Sequence, residues 1–313
     1  MASRLSTPEE IAASAGAAIP FLRLPVRETA FAARAARLRG LAPGHAMQDY
    51  LEFVARIADR QQALLAALPG FPLPDAAELA RARSEGRAPL DCSRHVRDPA
   101  WRDLLRRLAD QLAATVDQPL AGRLETLARR DDPFLDAQAA RLIGGVTLGL
   151  DVAAAPLIAA ALQVYFCDLV IRLGEAAFPP SLDPSFCPCC GGRPTASVTV
   201  AGGREGGYRF LHCSLCGAEW HMVRIKCPSC QGTEGIRYES LDDGTPAARH
   251  AVQAEVCPSC GSYLKIVHAE RDPRVDPVAD DLASLALDLL VVVAGSQPCG
   301  VNFMLIHGDA GPA

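Results

Sequence analysis

Between Cys187 and Cys260 the chain repeats one spacing four times: Cys187/Cys190, Cys213/Cys216, Cys227/Cys230 and Cys257/Cys260 are all Cys-x-x-Cys pairs. Eight of the twelve cysteines lie in this stretch at that spacing. Two intervening residues let both sulfurs of a pair reach one tetrahedral ion, while N–H groups of the turn point at the sulfurs. Two pairs complete a four-sulfur site, so four pairs predict two metal sites.

The segments between the pairs also repeat. Thr195 to Val200 and Tyr208 to His212 read as a hairpin, and Ala218 to Ile225 as a third strand leading into Cys227. Ile236 to Ser240, a turn at Asp242-Asp243-Gly244, Arg249 to Val256 and Tyr263 to Val267 restate that order. The units begin 40 residues apart, at Cys187 and Cys227, as expected of a duplicated rubredoxin or zinc-ribbon unit. Each hairpin brings its own flanking knuckles together. Sequential pairing is therefore favoured over an interleaved, cross-braced one: Cys187, Cys190, Cys213 and Cys216 at one ion, and Cys227, Cys230, Cys257 and Cys260 at the other. Gly191, Gly217 and Gly261 follow their pairs where a turn needs positive φ; Gln231 departs from the habit, with Gly232 one residue later.

Ahead of the cysteines the periodicity is helical. Met47, Tyr50, Leu51, Val54, Ile57, Leu64, Leu65 and Leu68 form one stripe that stops at Pro69-Gly70. Asp98-Pro99, Asp132-Pro133 and Asp276-Pro277 each pair a capping carboxylate with a proline suited to a first helical turn. Residues 142–150 and 152–173 are apolar nearly all round, as expected of a buried helix pair, and no strand is expected before residue 190. Polar and helix-breaking residues interrupt this region, so no clean membrane span is expected. Val278, Leu282, Leu285, Leu289 and Leu290 mark one face of a C-terminal helix, and residues 306–313 read as a loose tail. The expected fold class is α+β: an N-terminal all-α helical domain (1–180), two tandem ribbons (181–226 and 227–270), then a C-terminal helix and tail (271–313).

Net charge is −5 and no segment carries a basic stripe, which argues against nucleic acid. The N-terminus lacks the apolar core of a signal peptide, so a reducing, cytoplasmic setting is expected, with thiols available to metal. Cys189 sits inside the first knuckle, either as an alternative ligand, a redox-reactive thiol or a bystander; Cys92, Cys167 and Cys299 read as small buried hydrophobes. His212 and His221 flank the second knuckle and could each replace a sulfur, although four cysteines are already present. Asp280 and Asp281 resemble an acid–base pair, but in the first turn after Pro277 they more simply complement the helix dipole. With four protein sulfurs per ion no position is open to substrate, so a non-enzymatic role is expected. The rival readings are a thiol or metal-linked oxidoreductase and a nucleic-acid-binding zinc ribbon.

Cys187-Pro-Cys-Cys-Gly, Leu211-His-Cys-Ser-Leu-Cys-Gly-Ala-Glu-Trp-His, Arg224-Ile-Lys-Cys-Pro-Ser-Cys and Ala254-Glu-Val-Cys-Pro-Ser-Cys-Gly-Ser-Tyr-Leu-Lys together resemble the formate dehydrogenase accessory protein FdhE family, as does the segment 276–290. The resemblance covers essentially the whole chain, and the eight paired cysteines match the family position by position. It implies a cytoplasmic assembly factor that binds the catalytic subunit of a respiratory formate dehydrogenase, a molybdenum enzyme exported folded by the twin-arginine route. It also implies rubredoxin-like iron in both sites, where spacing alone leaves zinc equally open.

Overall fold

The structure, a computed structural model, describes residues 19–180, 183–200, 207–241 and 250–306. Among the described residues seven α-helices precede residue 180: α1 (Ala32–Leu41), α2 (Gln48–Ala67), α3 (Ala76–Ser84), α4 (Ala100–Ala113), α5 (Gln118–Ala128), α6 (Asp132–Gly144) and α7 (Ala155–Leu173). Helix α2 buries the expected stripe, including Leu51, Val54, Ile57, Leu64 and Leu65, and ends where Leu68 turns extended ahead of Pro69. Helix α4 begins one residue later than its Asp-Pro signal suggests: Pro99 occupies the cap position and Asp98 Oδ1 accepts from the Ala100 N–H at 2.8 Å. In α6 the cap is Asp131, not Asp132; it accepts from Phe134 N–H at 2.9 Å and places Pro133 in the first turn.

The buried helix pair expected over 142–173 is a single helix. Helix α6 stops at Gly145, whose φ of +66° gives a left-handed terminus, and the turn beyond it leaves Val146 and Leu148 exposed. Helix α7 is the core element, with every residue from Ala155 to Val170 buried. Among the described residues it is the one helix long and apolar enough to cross a membrane by length and composition, yet 78% of its apolar window is enclosed by the rest of the protein. Its polar groups are all engaged. Asp168 pairs with Arg27 and accepts from Phe71 N–H at 3.0 Å. Tyr165 Oη lies 2.8 Å from His95 Nε2, and Gln163 accepts from Gln61 at 2.9 Å.

The described strands form one mixed sheet, built mainly from the second half of the chain. It comprises β1 (Leu22–Arg23), β2 (Pro194–Thr199), β3 (Arg209–Cys213), β4 (Glu219–Met222), β5 (Arg237–Glu239), β6 (Val252–Val256), β7 (Ser262–His268) and β8 (Gln297–Pro298). The path runs β1-β4-β3-β2-β7-β6-β5, with β8 also on β7. Each ribbon is an antiparallel set, β2-β3-β4 and β5-β6-β7, and the two join where β2 meets β7 in parallel, Ser197 opposite Ile266. The buried ion pair Arg209 Nη1 to Glu255 Oε1, 3.0 Å, reaches from one ribbon to the other. Strand β1 corrects the expectation of no strand before residue 190: Leu22 and Arg23 add to the edge strand β4, opposite Trp220 and Glu219. Two residues are too few for an alternation to be visible in sequence. The expected turn at 242–244 lies outside the described residues, as does the tail beyond residue 306.

Between β7 and β8 come two helices rather than one, α8 (Pro277–Ala283) and α9 (Leu285–Val293). Asp276 caps α8 as expected, accepting from Val278 and Ala279 N–H. The break falls at Ser284, where Lys265 Nζ, rising from β7, donates to Asp281 O at 2.5 Å and Ser284 Oγ at 3.1 Å. The face changes accordingly: Val278 and Leu282 are buried in α8, whereas α9 buries Leu287 and Val291 and leaves Leu289 and Leu290 exposed.

Candidate metal centres

All four knuckles share one backbone form. The N–H of the first cysteine donates to the carbonyl five residues on: Cys187 to Gly192 (2.9 Å), Cys213 to Ala218 (2.8 Å), Cys227 to Gly232 (2.8 Å) and Cys257 to Ser262 (2.9 Å). The residue after the second cysteine is left-handed each time, with φ of +68° at Gly191, +73° at Gly217, +63° at Gln231 and +69° at Gly261. Gln231 is the sole non-glycine residue with positive φ among those described, so the third knuckle keeps the turn and places a side chain in a strained region. Its Nε2 donates to Ser185 Oγ at 3.0 Å.

This form aims the sulfurs inward in two groups. Cys187, Cys190, Cys213 and Cys216 make one, Cys227, Cys230, Cys257 and Cys260 the other, and within each group the four Sγ atoms lie within 4.8 Å of one another. Interleaved pairing is not what the structure has. Cross-knuckle Sγ–Sγ distances are 3.6 Å (Cys187–Cys216) and 3.4 Å (Cys190–Cys213) in the first group, and 3.7 Å for both Cys227–Cys260 and Cys230–Cys257 in the second. A tetrahedron with metal–sulfur bonds of about 2.3 Å has edges of about 3.8 Å, so the donor sets suit a four-thiolate ion such as zinc or iron. The crowding fits too: a Cβ on Gly192 would sit 3.3 Å from Cys190 Sγ, and one on Gly232 3.3 Å from Cys230 Sγ. Backbone N–H groups support the sulfurs, Leu215 N–H reaching Cys213 Sγ and Ser229 N–H reaching Cys227 Sγ at 3.4 Å.

The two groups differ in their surroundings. Residues 187–190 and 213–216 are buried throughout. Leu90 N–H donates to Cys189 O (2.9 Å) and Cys92 N–H to Cys190 O (2.8 Å), so the loop after α3 runs along the first knuckle. Gln163 of α7 donates to Ser214 O at 2.8 Å inside the second, and Pro25 packs beside Gly217. In the second group Cys227 and Cys257 are buried but Cys230 and Cys260 are exposed, as are Ser229, Pro258 and Ser259.

The remaining candidates fall outside both ligand sets. Cys189 is wholly buried beside Cys187, and burial pushes its thiol well up. Burial likewise raises Cys92, Cys167 and Cys299 to about 12, so these stay protonated at neutral pH. His212 lies 3.5 Å from Glu219, and His221 packs edge-on to Phe210 and Tyr208. Asp280 and Asp281 do more than complement a helix dipole. Asp280 accepts two hydrogen bonds from Arg37 of α1, Oδ2 from Nε at 2.9 Å and Oδ1 from Nη2 at 2.5 Å, and Asp281 pairs with Lys265 at 3.0 Å while accepting from Asn302 at 2.8 Å. These partners come from other elements, Arg37 from 243 residues away, so local pattern did not disclose them.

Comparison with known proteins reaches the same region. Family models match most of the chain: "FdhE, N-terminal" over residues 19–182, "FdhE, central domain" over 186–224 and "FdhE, C-terminal domain" over 225–305. The Pseudomonas aeruginosa Protein FdhE homolog is 38% identical over 98% of this chain and 99% of its own length. The Cronobacter sakazakii homolog is 36% identical over 93% of each, and Protein FdhE of Salmonella newport 35% over 93% of each. The crystal structure of the FdhE protein from Pseudomonas aeruginosa superposes with a TM-score of 0.85, covering 92% of this chain and all of that one.

Proposed function

This chain belongs to the FdhE family, and on that footing we propose that it is a non-enzymatic assembly factor that binds the catalytic subunit of a formate dehydrogenase in the cytoplasm. The observation that carries the reading is the closure of both centres. Cys187, Cys190, Cys213 and Cys216, and Cys227, Cys230, Cys257 and Cys260, each supply four sulfurs to one point, which leaves an ion no position for a substrate. A bound ion would hold two knuckles together and, if iron as the family resemblance favours, add a one-electron couple. The chain's own residues do the rest: the knuckle turns orient the sulfurs, and the helical half presents a rigid support to the first ribbon.

The absence of a basic stripe supports a protein partner over nucleic acid, and the enclosed position of α7 supports a chain that does not insert in a membrane. Tagged protein from the native host should co-purify with the formate dehydrogenase catalytic subunit, and deletion of the gene should abolish formate oxidation. Failure to co-purify together with intact formate oxidation in the deletion strain sinks the assembly role. Elemental analysis of freshly purified protein should give two ions per chain, and its absorption spectrum separates ferric iron from colourless zinc.

A further inference from the structure

The duplicated ribbon supplies its own control: two ligand sets with the same spacing, turn and sulfur geometry, set in unlike surroundings. The first is sealed by the helical half, through the loop that carries Leu90 and Cys92, through Gln163 of α7 and through Pro25. The Cys187, Cys189, Cys190, Cys213 and Cys216 side chains belong to the same apolar cluster as the helices. In the second, Cys227 and Cys257 face inward while Cys230 and Cys260 stand at the surface in turns whose neighbours are also exposed. A competing donor can approach the second ion along the Cys230–Cys260 edge, whereas reaching the first requires the ribbon and helices to part. Thiolate and metal exchange both depend on such access.

We propose that the second centre is an exchangeable metal site, open through Cys230 and Cys260 to thiolate donors and chelators, and that the first is a permanent one. This rests on the reading above that both centres hold metal. In the exchange, the metal–sulfur bonds to Cys230 and Cys260 break, two donor atoms of the incoming ligand take their places, and the freed sulfurs are protonated from solvent. Cys227 and Cys257 then release the ion in the same way. The ion keeps its oxidation state throughout, so no oxidant or reductant is consumed. The chemical class of the exchange partner is a metal carrier presenting two thiolates, which matches the donor type it displaces.

The test uses the full-length, metal-loaded protein, challenged with excess of a dithiol chelator while released metal is followed by absorbance. One equivalent per chain should leave about tenfold or more faster than the other, since access limits the exchange. Samples quenched with iodoacetamide and mapped by mass spectrometry should show Cys227, Cys230, Cys257 and Cys260 labelled in the fast phase, with Cys187, Cys190, Cys213 and Cys216 labelled only in the slow one. Cys230→Ser should speed the fast phase alone; because the wild-type kinetics and mapping stand without it, a variant that fails to fold leaves the test intact. A single release rate, or a fast phase that labels the first set, overturns the proposal. Protein that holds fewer than two ions at the start overturns the metal reading itself.

Discussion

At the four knuckles one left-handed residue decides whether the turn closes. Gly261 has φ of +69° with open space where a Cβ would stand, so Gly261→Ala isolates backbone strain from collision. It should lower unfolding stability by about 1 kcal/mol, the left-handed penalty less the gain from a stiffer unfolded chain. Gly122, inside α5 and equally uncrowded, should respond in the opposite sense, with Gly122→Ala gaining about 0.5–1 kcal/mol. Urea midpoints of the two metal-loaded variants check both. At His268, burial first and Arg271 second hold the imidazole down to about 4, and its Nε2 meets Gln253 Oε1 at 2.9 Å. A folded-state value below the ordinary 6.5 means the neutral ring is the one folding selects. Its contribution is full above pH 6.5 and is lost as the pH falls toward 4. Thermal unfolding of the wild type should therefore drop more steeply across that window than that of His268→Gln, and an NMR titration should find the ring neutral at pH 6.

Helix α8 bridges the halves through charge pairs. On one side Asp280 is held by Arg37 of α1, on the other Asp281 by Lys265 of β7. Asp280 is buried and Arg37 half-buried, so removing the cation strands a carboxylate whose desolvation is already felt; burial is the leading cause of the upward shift at Asp280. Arg37→Ala should cost about 1–3 kcal/mol, and adding Asp280→Asn should recover a substantial part by removing the unpaired charge. A denaturation series over the two single variants and the double variant measures this coupling, and additive losses would refute it. The break at Ser284 has the same origin. A lysine ammonium from the sheet takes carbonyl and hydroxyl oxygens at the end of α8, and α9 restarts on a different face.

In the whole molecule the first ribbon and the helices share one apolar core, whereas Ala254, Val256 and Tyr263 of the second ribbon pack with Leu287 and Val291 of α9 in a separate, smaller cluster. Loss of metal should therefore propagate unequally. Cys187→Ser should raise amide exchange through α7 and the loop carrying Leu90, and Cys260→Ser should raise it in β5, β6 and α9 while α7 stays protected. Hydrogen exchange read by mass spectrometry on both variants distinguishes this from uniform loosening.

Short-range chemistry was legible in the sequence. The Cys-x-x-Cys spacing, the glycines after three of the pairs, the α2 stripe and the Asp276-Pro277 start are all satisfied by residues within a turn of one another, so each could be read from its neighbours. The same local logic went astray by one residue at Asp131, where two consecutive aspartates compete for one cap, and over 142–150, where Gly144-Gly145 outweighs apolar composition. Tertiary structure alone decided what depends on distant partners. It placed β1 on β4, joined the ribbons through β2 and β7, divided the C-terminal helix at Ser284, and paired Arg37 with Asp280 across 243 residues. Above all it distinguished two ligand sets that are alike in sequence. Spacing determines whether four sulfurs can meet at a point; what covers that point depends on which surface folds over it, and here the helical half covers only the first.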